Sequence, residues 1–163
     1  NLKMNCKEIG RIIFDPPIKT KKHQKQDVWK NTVLIQLSGE VCAYYRWMIE
    51  KRFGIKLLKS IRGPHMTFIN DRISEGEQDK YYKTKKKWQG KRVEVTYDIN
   101  RIETDGKHWW ISAYSEVAPI IRKECGNNPK YIYGFHITIG KVNEKDLIKM
   151  PYIMKNLKRY EQF

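Results

Sequence analysis

The feature that most constrains this chain is a short pattern that occurs twice, each time inside an apolar run typical of a β-strand. The pattern is His-x-Thr, formed by His65 and Thr67 and again by His136 and Thr138. Along a strand, positions i and i+2 point to the same face of the sheet. Each motif therefore presents an imidazole and a hydroxyl together, while the apolar residues beside each threonine face the core. We expect both motifs to lie on strands.

The hydrophobic pattern predicts two strand–helix–strand segments of similar design. Predicted strands cover residues 9–14, 32–37, 65–70, 92–99, 109–114 and 131–142, and predicted helices cover residues 40–53, 115–125 and 144–163. The last helix is interrupted at Met150-Pro151, and residues 75–92 are predicted to form a short helix or a mobile loop. This order of elements indicates an α+β domain with an internal pseudo-twofold duplication.

The 163 residues have the size of one domain. We divide it into a basic N-terminal extension (1–30), a catalytic core (32–142) and a C-terminal basic helix (143–163). Within the extension, residues 19–25 are predicted to be a charged loop or a flexible arm.

The charge of the chain indicates an anionic partner. Lysine and arginine number 33 against 18 acidic residues, a net charge of +15, which attracts phosphates, nucleic acid or an anionic membrane surface. No apolar stretch is long enough to span a bilayer and no signal segment opens the chain, so no membrane-spanning segment is expected, and we assign no membrane partner. Three cysteines without paired spacing indicate a reducing, cytoplasmic compartment. The sequence does not indicate an oligomeric state.

Two imidazoles and two hydroxyls in one groove suit phosphodiester chemistry. A neutral imidazole can deprotonate an attacking hydroxyl, while an imidazolium protonates the departing oxygen. Both forms coexist near pH 7, because the ordinary pKa of histidine is about 6.5. Threonine hydroxyls can hold the non-bridging oxygens. Since no metal-ligand spacing occurs, neither a metal nor another cofactor is expected, and His23 and His108 are predicted to be bystanders.

The paired His-x-Thr motifs resemble those of the 2H phosphoesterase superfamily, over about residues 32–142. This superfamily includes 2′-5′ RNA ligase-like proteins, cyclic phosphodiesterases and certain viral phosphodiesterases. The resemblance implies two related β-α-β lobes that form a bilobal sheet around a central groove. It also implies metal-independent cleavage of a cyclic nucleotide, a cyclic oligonucleotide, or a 2′-5′ or 2′,3′-cyclic phosphate linkage. His65 and His136 would be the acid/base pair, and Thr67 and Thr138 would hold the phosphate.

Some phage members of this group destroy cyclic oligonucleotide immune signals. The size and single-domain plan of this chain suit that role, which would place a viral protein in the host cytoplasm. Two other functions stay open. One is a non-catalytic RNA- or nucleotide-binding module, indicated by the positive charge together with 5 Trp, 10 Tyr and 5 Phe. The other is an RNA 2′-5′ ligase, which would run the same chemistry backward.

Several residues near the motifs are candidates for substrate binding. Arg62 and Lys141 lie next to the motifs in sequence and are candidates for phosphate contacts, with a plain surface role equally open. One of the adjacent Trp109 and Trp110 must face away from the core, where it can stack on a base, and we assign this role to Trp109.

Two further candidates depend on local structure. Strict strand alternation would put Tyr133 on the face opposite to His136, but a bulge at Gly134 would reverse this. Lys86 belongs to a basic, aromatic segment that is either a lid over an anionic ligand or a solvated loop. We expect a basic rim around the groove, supplied by some of Arg62, Lys83, Lys85, Lys86, Lys87 and Lys141.

Overall fold

The structure is a computed structural model that describes residues 5–18, 27–71, 73 and 75–157. The strands in this part of the chain are β1 (Asn5–Phe14), β2 (Pro17–Ile18), β3 (Asp27–Val28), β4 (Val33–Gln36), β5 (Leu57–Leu58), β6 (His65–Ile69), β7 (Arg92–Thr104), β8 (His108–Tyr114) and β9 (His136–Val142). The α-helices are α1 (Val41–Phe53), α2 (Gln78–Trp88), α3 (Val117–Glu124) and α4 (Met150–Leu157). Two 3₁₀ helices, Glu75–Glu77 and Glu144–Lys149, precede α2 and α4.

Six strands form a closed antiparallel ring. Their order is β9-β6-β4-β1-β7-β8, and β8 pairs back with β9. The short β5 pairs with β9 beyond β6, and β2 and β3 form a separate two-stranded sheet. The α+β class is therefore confirmed. Strand pairing is continuous around the ring and marks no boundary between two halves. The predicted arrangement in two lobes therefore stays a prediction.

The N-terminal part of the chain belongs to this sheet. β1 pairs with β4 on one side and with β7 on the other, so the prediction that residues 1–30 lie outside the core is wrong for β1. The strand starts well before the apolar run at residues 9–14, because backbone hydrogen bonds to β7 hold its first half. Residues 19–25, His23 and residues 158–163 lie outside the described part of the chain.

One face of the ring is apolar and buried, and the helices complete its core. Two clusters of buried side chains make up this core. The first joins strand residues such as Ile12, Ile35, Met66 and Ile137 to Tyr81 of α2 and Ile121 of α3. The second joins Trp109 and Ile139 to Ile49 of α1 and Ile153 of α4. The opposite face of β6 and β9 carries the polar positions of the two motifs.

Two segments differ from their predicted form, and a third takes one of its two predicted forms. β9 begins at His136 and not at residue 131, because the Gly134 N–H donates to the Tyr131 carbonyl and closes a turn. Residues 78–88 form the helix alternative of the basic segment. The C-terminal tail is a 3₁₀ helix followed by α4, with Pro151 in the first turn of α4, where proline is tolerated. None of the helices in the described part has an apolar run long enough to cross a membrane.

Candidate active site

The two His-x-Thr motifs lie on neighbouring strands of the ring, β6 and β9. Met66 is paired with Ile137 in an antiparallel register, and both side chains are fully buried. This register sets each histidine opposite the threonine of the other motif. The two imidazoles and two hydroxyls therefore share the face opposite to the core.

The backbone before each histidine has the same conformation. Gly63 and Gly134, each two residues before a histidine, have φ values of +71° and +69°, a region that favours glycine. The Nδ1 atom of His65 lies 2.8 Å from the Gly63 carbonyl oxygen, and the Nδ1 atom of His136 lies 3.1 Å from the Gly134 carbonyl oxygen. A carbonyl only accepts, so each Nδ1 carries the proton and each Nε2 is left for a ligand.

The motif is therefore Gly-x-His-x-Thr in both copies. The shared position of the two glycines is a feature that the sequence analysis missed. The spacing was visible in the sequence, at residues 63–67 and 134–138.

The environment of His65 favours its neutral form. Burial is the main cause that lowers its pKa below 6.5, and the positive charges of Arg62 and His136 lower it further. The hydrogen bond to Gly63 acts in the opposite direction. Near pH 7, His65 thus presents an unprotonated Nε2 that can accept a proton.

The Arg62 side chain is held next to His65 by contacts with Pro17 of β2 and with Trp29, which follows β3. Its guanidinium lies 4.5 Å from the ring centre of Trp29, and its Nη2 donates to the Pro17 carbonyl. In the described part of the chain, no acceptor is within hydrogen-bond distance of its buried Nε. Arg62 therefore places a cation beside the first motif, and its role in phosphate binding stays a prediction.

A cavity of about 660 Å³ opens beside the second motif. His136 and Thr138 line it together with side chains of β8 and of the turn before β9. Trp110, which is paired with Thr138, forms part of its wall, with its ring centre 6.0 Å from that of His136. The indole N–H of Trp110 donates to the Glu103 carboxylate at 3.0 Å, which fixes the orientation of the ring.

Trp109 faces the core, and its assignment to the substrate is wrong. Its side chain is fully buried and stacks on Phe53 at 5.6 Å between ring centres. Alternation along β8 puts one tryptophan on each face, and the pairing with β9 puts Trp110 on the face of the motifs.

Tyr133 lies in the turn before β9, is 63% exposed and lines the cavity. The turn, rather than a bulge within a longer strand, brings it there. His108 also lines the cavity, with its Nδ1 3.6 Å from the Asp105 carboxylate, and its role as a bystander stays a prediction.

The predicted lysines do not surround this cavity. Lys86 lies on α2, which packs against the core cluster through Tyr81, and no residue of α2 lines the cavity. Lys141 is exposed on β9 and is paired with the cavity-lining His108, but it is not itself among the lining residues. The acidic side chains in the cavity wall are Glu103 and Asp105. The basic rim around the groove therefore stays a prediction.

One buried cation that sequence reasoning missed ties the end of β6 to α3 and to the loop that follows α3. Arg122 of α3 is fully buried and donates to both carboxylate oxygens of Asp71, at 2.7 and 2.8 Å. It also donates to the carbonyls of Phe68, at 2.9 Å, and Asn128, at 2.7 Å. Asp71 follows β6 and Asn128 lies in the loop between α3 and β9, so Arg122 fixes the end of the first motif strand against α3 and this loop. An arginine within an apolar helix was the only signal for it.

The hydrogen bonds from Arg122 are the main cause that lowers the pKa of Asp71 to about 2.

Within the described ranges, no three His, Cys, Asp or Glu side chains lie close enough together to hold a metal ion. The site thus offers two imidazoles with available Nε2 atoms, two hydroxyls and one neighbouring guanidinium. No protein-family model matches the chain, and no curated protein or solved structure is significantly similar to it.

Proposed function

We propose that this protein is a phosphodiesterase that cleaves its substrate by acid/base catalysis with His65 and His136, without a metal. The substrate is a cyclic nucleotide, a cyclic oligonucleotide, or a 2′-5′ or 2′,3′-cyclic phosphate linkage. The observation that carries the proposal is the doubled Gly-x-His-x-Thr arrangement. Both imidazoles make the same contact to a glycine carbonyl and lie on one face of adjacent strands.

One strand histidine bonded to a nearby carbonyl is ordinary packing. Two such histidines in register, each opposite a threonine, supply the parts that a phosphodiester displacement needs. The resemblance to the 2H phosphoesterase superfamily rests on the same residues and belongs to this proposal. In that arrangement β6 and β9 would be the equivalent strands of two related lobes.

The lowered pKa of His65 favours it as the base. Its Nε2 accepts a proton from the attacking water or sugar hydroxyl as the new P–O bond forms. His136 donates its Nε2 proton to the departing oxygen as the old P–O bond breaks. The hydroxyls of Thr67 and Thr138 hold the non-bridging oxygens, and the Arg62 guanidinium offsets their charge.

The cavity beside His136 suits the nucleobase better than the phosphate. Trp110 and Tyr133 provide aromatic surface for stacking. The carboxylates of Glu103 and Asp105 would repel a phosphate group but can accept hydrogen bonds from base amino groups.

The test is incubation of the purified protein with cyclic mono-, di- and trinucleotides, 2′,3′-cyclic phosphates and 2′-5′ oligoadenylates, with products identified by mass. We expect hydrolysis that persists in EDTA. His65→Ala or His136→Ala should lower turnover about 10²-fold or more, with little further loss in the double variant. Tyr152→Ala, an exposed site on α4, is the control.

Circular dichroism shows whether each variant is folded. Full activity in the folded double variant, or loss of activity in EDTA, contradicts the mechanism. Binding of the nucleotides without any product would favour the non-catalytic binding module. Joining of RNA ends bearing 2′,3′-cyclic phosphate and 5′-hydroxyl groups would favour the ligase.

A further inference from the structure

The face that carries the histidines continues across the ring to two arginines. Gln36 of β4 is paired with His65, Arg11 of β1 is paired with Gln36, and Arg92 of β7 is paired with Arg11. Cross-strand partners share a face, so these four side chains form one row over four adjacent strands. Because neighbouring strands are about 4.8 Å apart, Arg11 lies about 10 Å from His65 along the sheet.

The pairing of Arg11 with Arg92 is unfavourable for the protein alone. Like charges directly opposite each other destabilise an antiparallel pair. Arg11 donates to the Gly90 carbonyl at 3.3 Å, and neither guanidinium forms an ion pair with a described residue. Both side chains are exposed. An anion bound between them would relieve the repulsion.

A second cavity, of about 320 Å³, lies at this pair of arginines. Arg11 and Arg92 line it, with Gln36 and Ser38 on the side of the histidines. Guanidinium groups bind phosphate oxygens through two parallel hydrogen bonds, and the Ser38 hydroxyl is a further donor. This cavity thus has the chemistry of a phosphate site.

Gln36 connects the two sites without serving as a phosphate ligand. Its side-chain Nε2 donates to the carbonyls of Arg62 and Pro64, each at 2.9 Å. Its donor group is therefore occupied in holding the segment that leads into His65. On the other side of the motifs, the cavity wall carries carboxylates. A polyanion centred on the histidines is favoured to extend towards β1 and β7.

We infer that Arg11 and Arg92 form a second phosphate site, which binds the phosphate next to the scissile one in an oligonucleotide substrate. The inference rests on the proposed function, because that function puts the scissile phosphate between His65 and His136. It narrows the substrate class to nucleotides with at least two phosphates. A cyclic mononucleotide would leave the arginine site empty.

The test compares two substrates that differ by one phosphodiester, adenosine 2′,3′-cyclic phosphate and the dinucleotide ApA ending in the same cyclic phosphate. The variant is Arg11→Gln combined with Arg92→Gln. Lys123→Gln combined with Lys145→Gln removes the same charge from exposed positions elsewhere and serves as the control. We expect the arginine variant to raise KM about 10-fold for the dinucleotide, with kcat unchanged and with the mononucleotide unaffected.

An equal effect on both substrates, no effect on either, or the same effect in the lysine control overturns the second site and leaves the proposed function standing. A binding measurement separates the two claims further. Fluorescein-labelled hexaadenylate is titrated, at several salt concentrations, into a His65→Ala, His136→Ala protein with and without the arginine substitutions. Losing one phosphate contact should weaken the slope of log affinity against log salt by about 0.7.

If neither substrate is turned over, the proposed function fails. The binding measurement alone then decides whether Arg11 and Arg92 bind an anion. Affinity reduced by the arginine substitutions and not by the lysine substitutions supports an anion site at this place. Equal affinity in the His65→Ala, His136→Ala protein, in the same protein with the arginine substitutions and in the same protein with the lysine substitutions overturns the anion site.

Discussion

Met66 of β6 lies directly opposite Ile137 of β9, and this pairing decides the geometry of the candidate site. Both side chains are buried, so their neighbours in sequence alternate to the other face. Because the strands run in opposite directions, the histidine of each motif meets the threonine of the other. A phosphate between the strands would therefore contact an imidazole and a hydroxyl from each side.

The threonines should contribute through their hydroxyls alone. Thr67→Ala or Thr138→Ala is expected to lower kcat by about 10-fold to 10³-fold, because one donor to the non-bridging oxygens is lost. Thr67→Ser and Thr138→Ser keep the hydroxyl and should retain most of the activity. Steady-state kinetics of the four variants tests this. Equal losses in the serine and alanine variants would point to packing of the methyl group instead.

The acidic limb of the pH profile should report on His65. Its pKa is lowered, first by burial and then by the charges of Arg62 and His136, so the base stays neutral to below pH 6.5. As the pH falls through this pKa, the imidazole becomes protonated and kcat/KM should fall. Arg62→Gln removes a positive charge and should move the acidic limb to higher pH. A limb that stays in place, or moves to lower pH, would contradict the assignment of His65 as the base.

The local parts of this site were predictable from the sequence, and its long-range parts were not. The His-x-Thr spacing and strand alternation place His65 and Thr67 on one face without any knowledge of partners. Which of Trp109 and Trp110 joins them depends on the register between β8 and β9, which alternation alone does not determine. The side-chain pattern predicts a strand at residues 9–14, but the inclusion of β1 in the ring depends on hydrogen bonds to strands distant in sequence.

The Arg122–Asp71 pair should be important for stability. Arg122→Ala leaves a partly buried carboxylate without its main partner and should lower the free energy of unfolding by about 3–5 kcal/mol. Lys7→Gln, in the exposed pair of Lys7 with Glu94, is the control and should cost less than about 1 kcal/mol. Urea denaturation followed by circular dichroism measures both. Similar losses in the two variants would show that the buried pair has no special role.

The same pair predicts how stability depends on pH. The pKa of Asp71 is about 2 in the folded protein against an ordinary value of 3.8. Folding therefore favours the ionised form of Asp71. The contribution of the pair to the free energy of unfolding is complete above about pH 5 and declines as the pH falls towards 2. The Asp71→Asn protein should lack this part of the acid dependence. Parallel urea titrations at pH 7 and pH 3 check it, and an identical loss in wild type and variant would contradict it.

The adjacent tryptophans should respond in opposite ways to substitution by alanine. Trp109 is fully buried against Phe53, so Trp109→Ala should lower the free energy of unfolding by about 3–5 kcal/mol. Trp110 lines the cavity beside His136, so Trp110→Ala should leave stability nearly unchanged and raise KM, by about 10-fold if one base stacks on the indole. Urea denaturation and steady-state kinetics on the same two proteins separate the effects. A rise in KM with a stable Trp109→Ala protein, or unfolding of the Trp110→Ala protein, would show that the register between β8 and β9 differs from the one described.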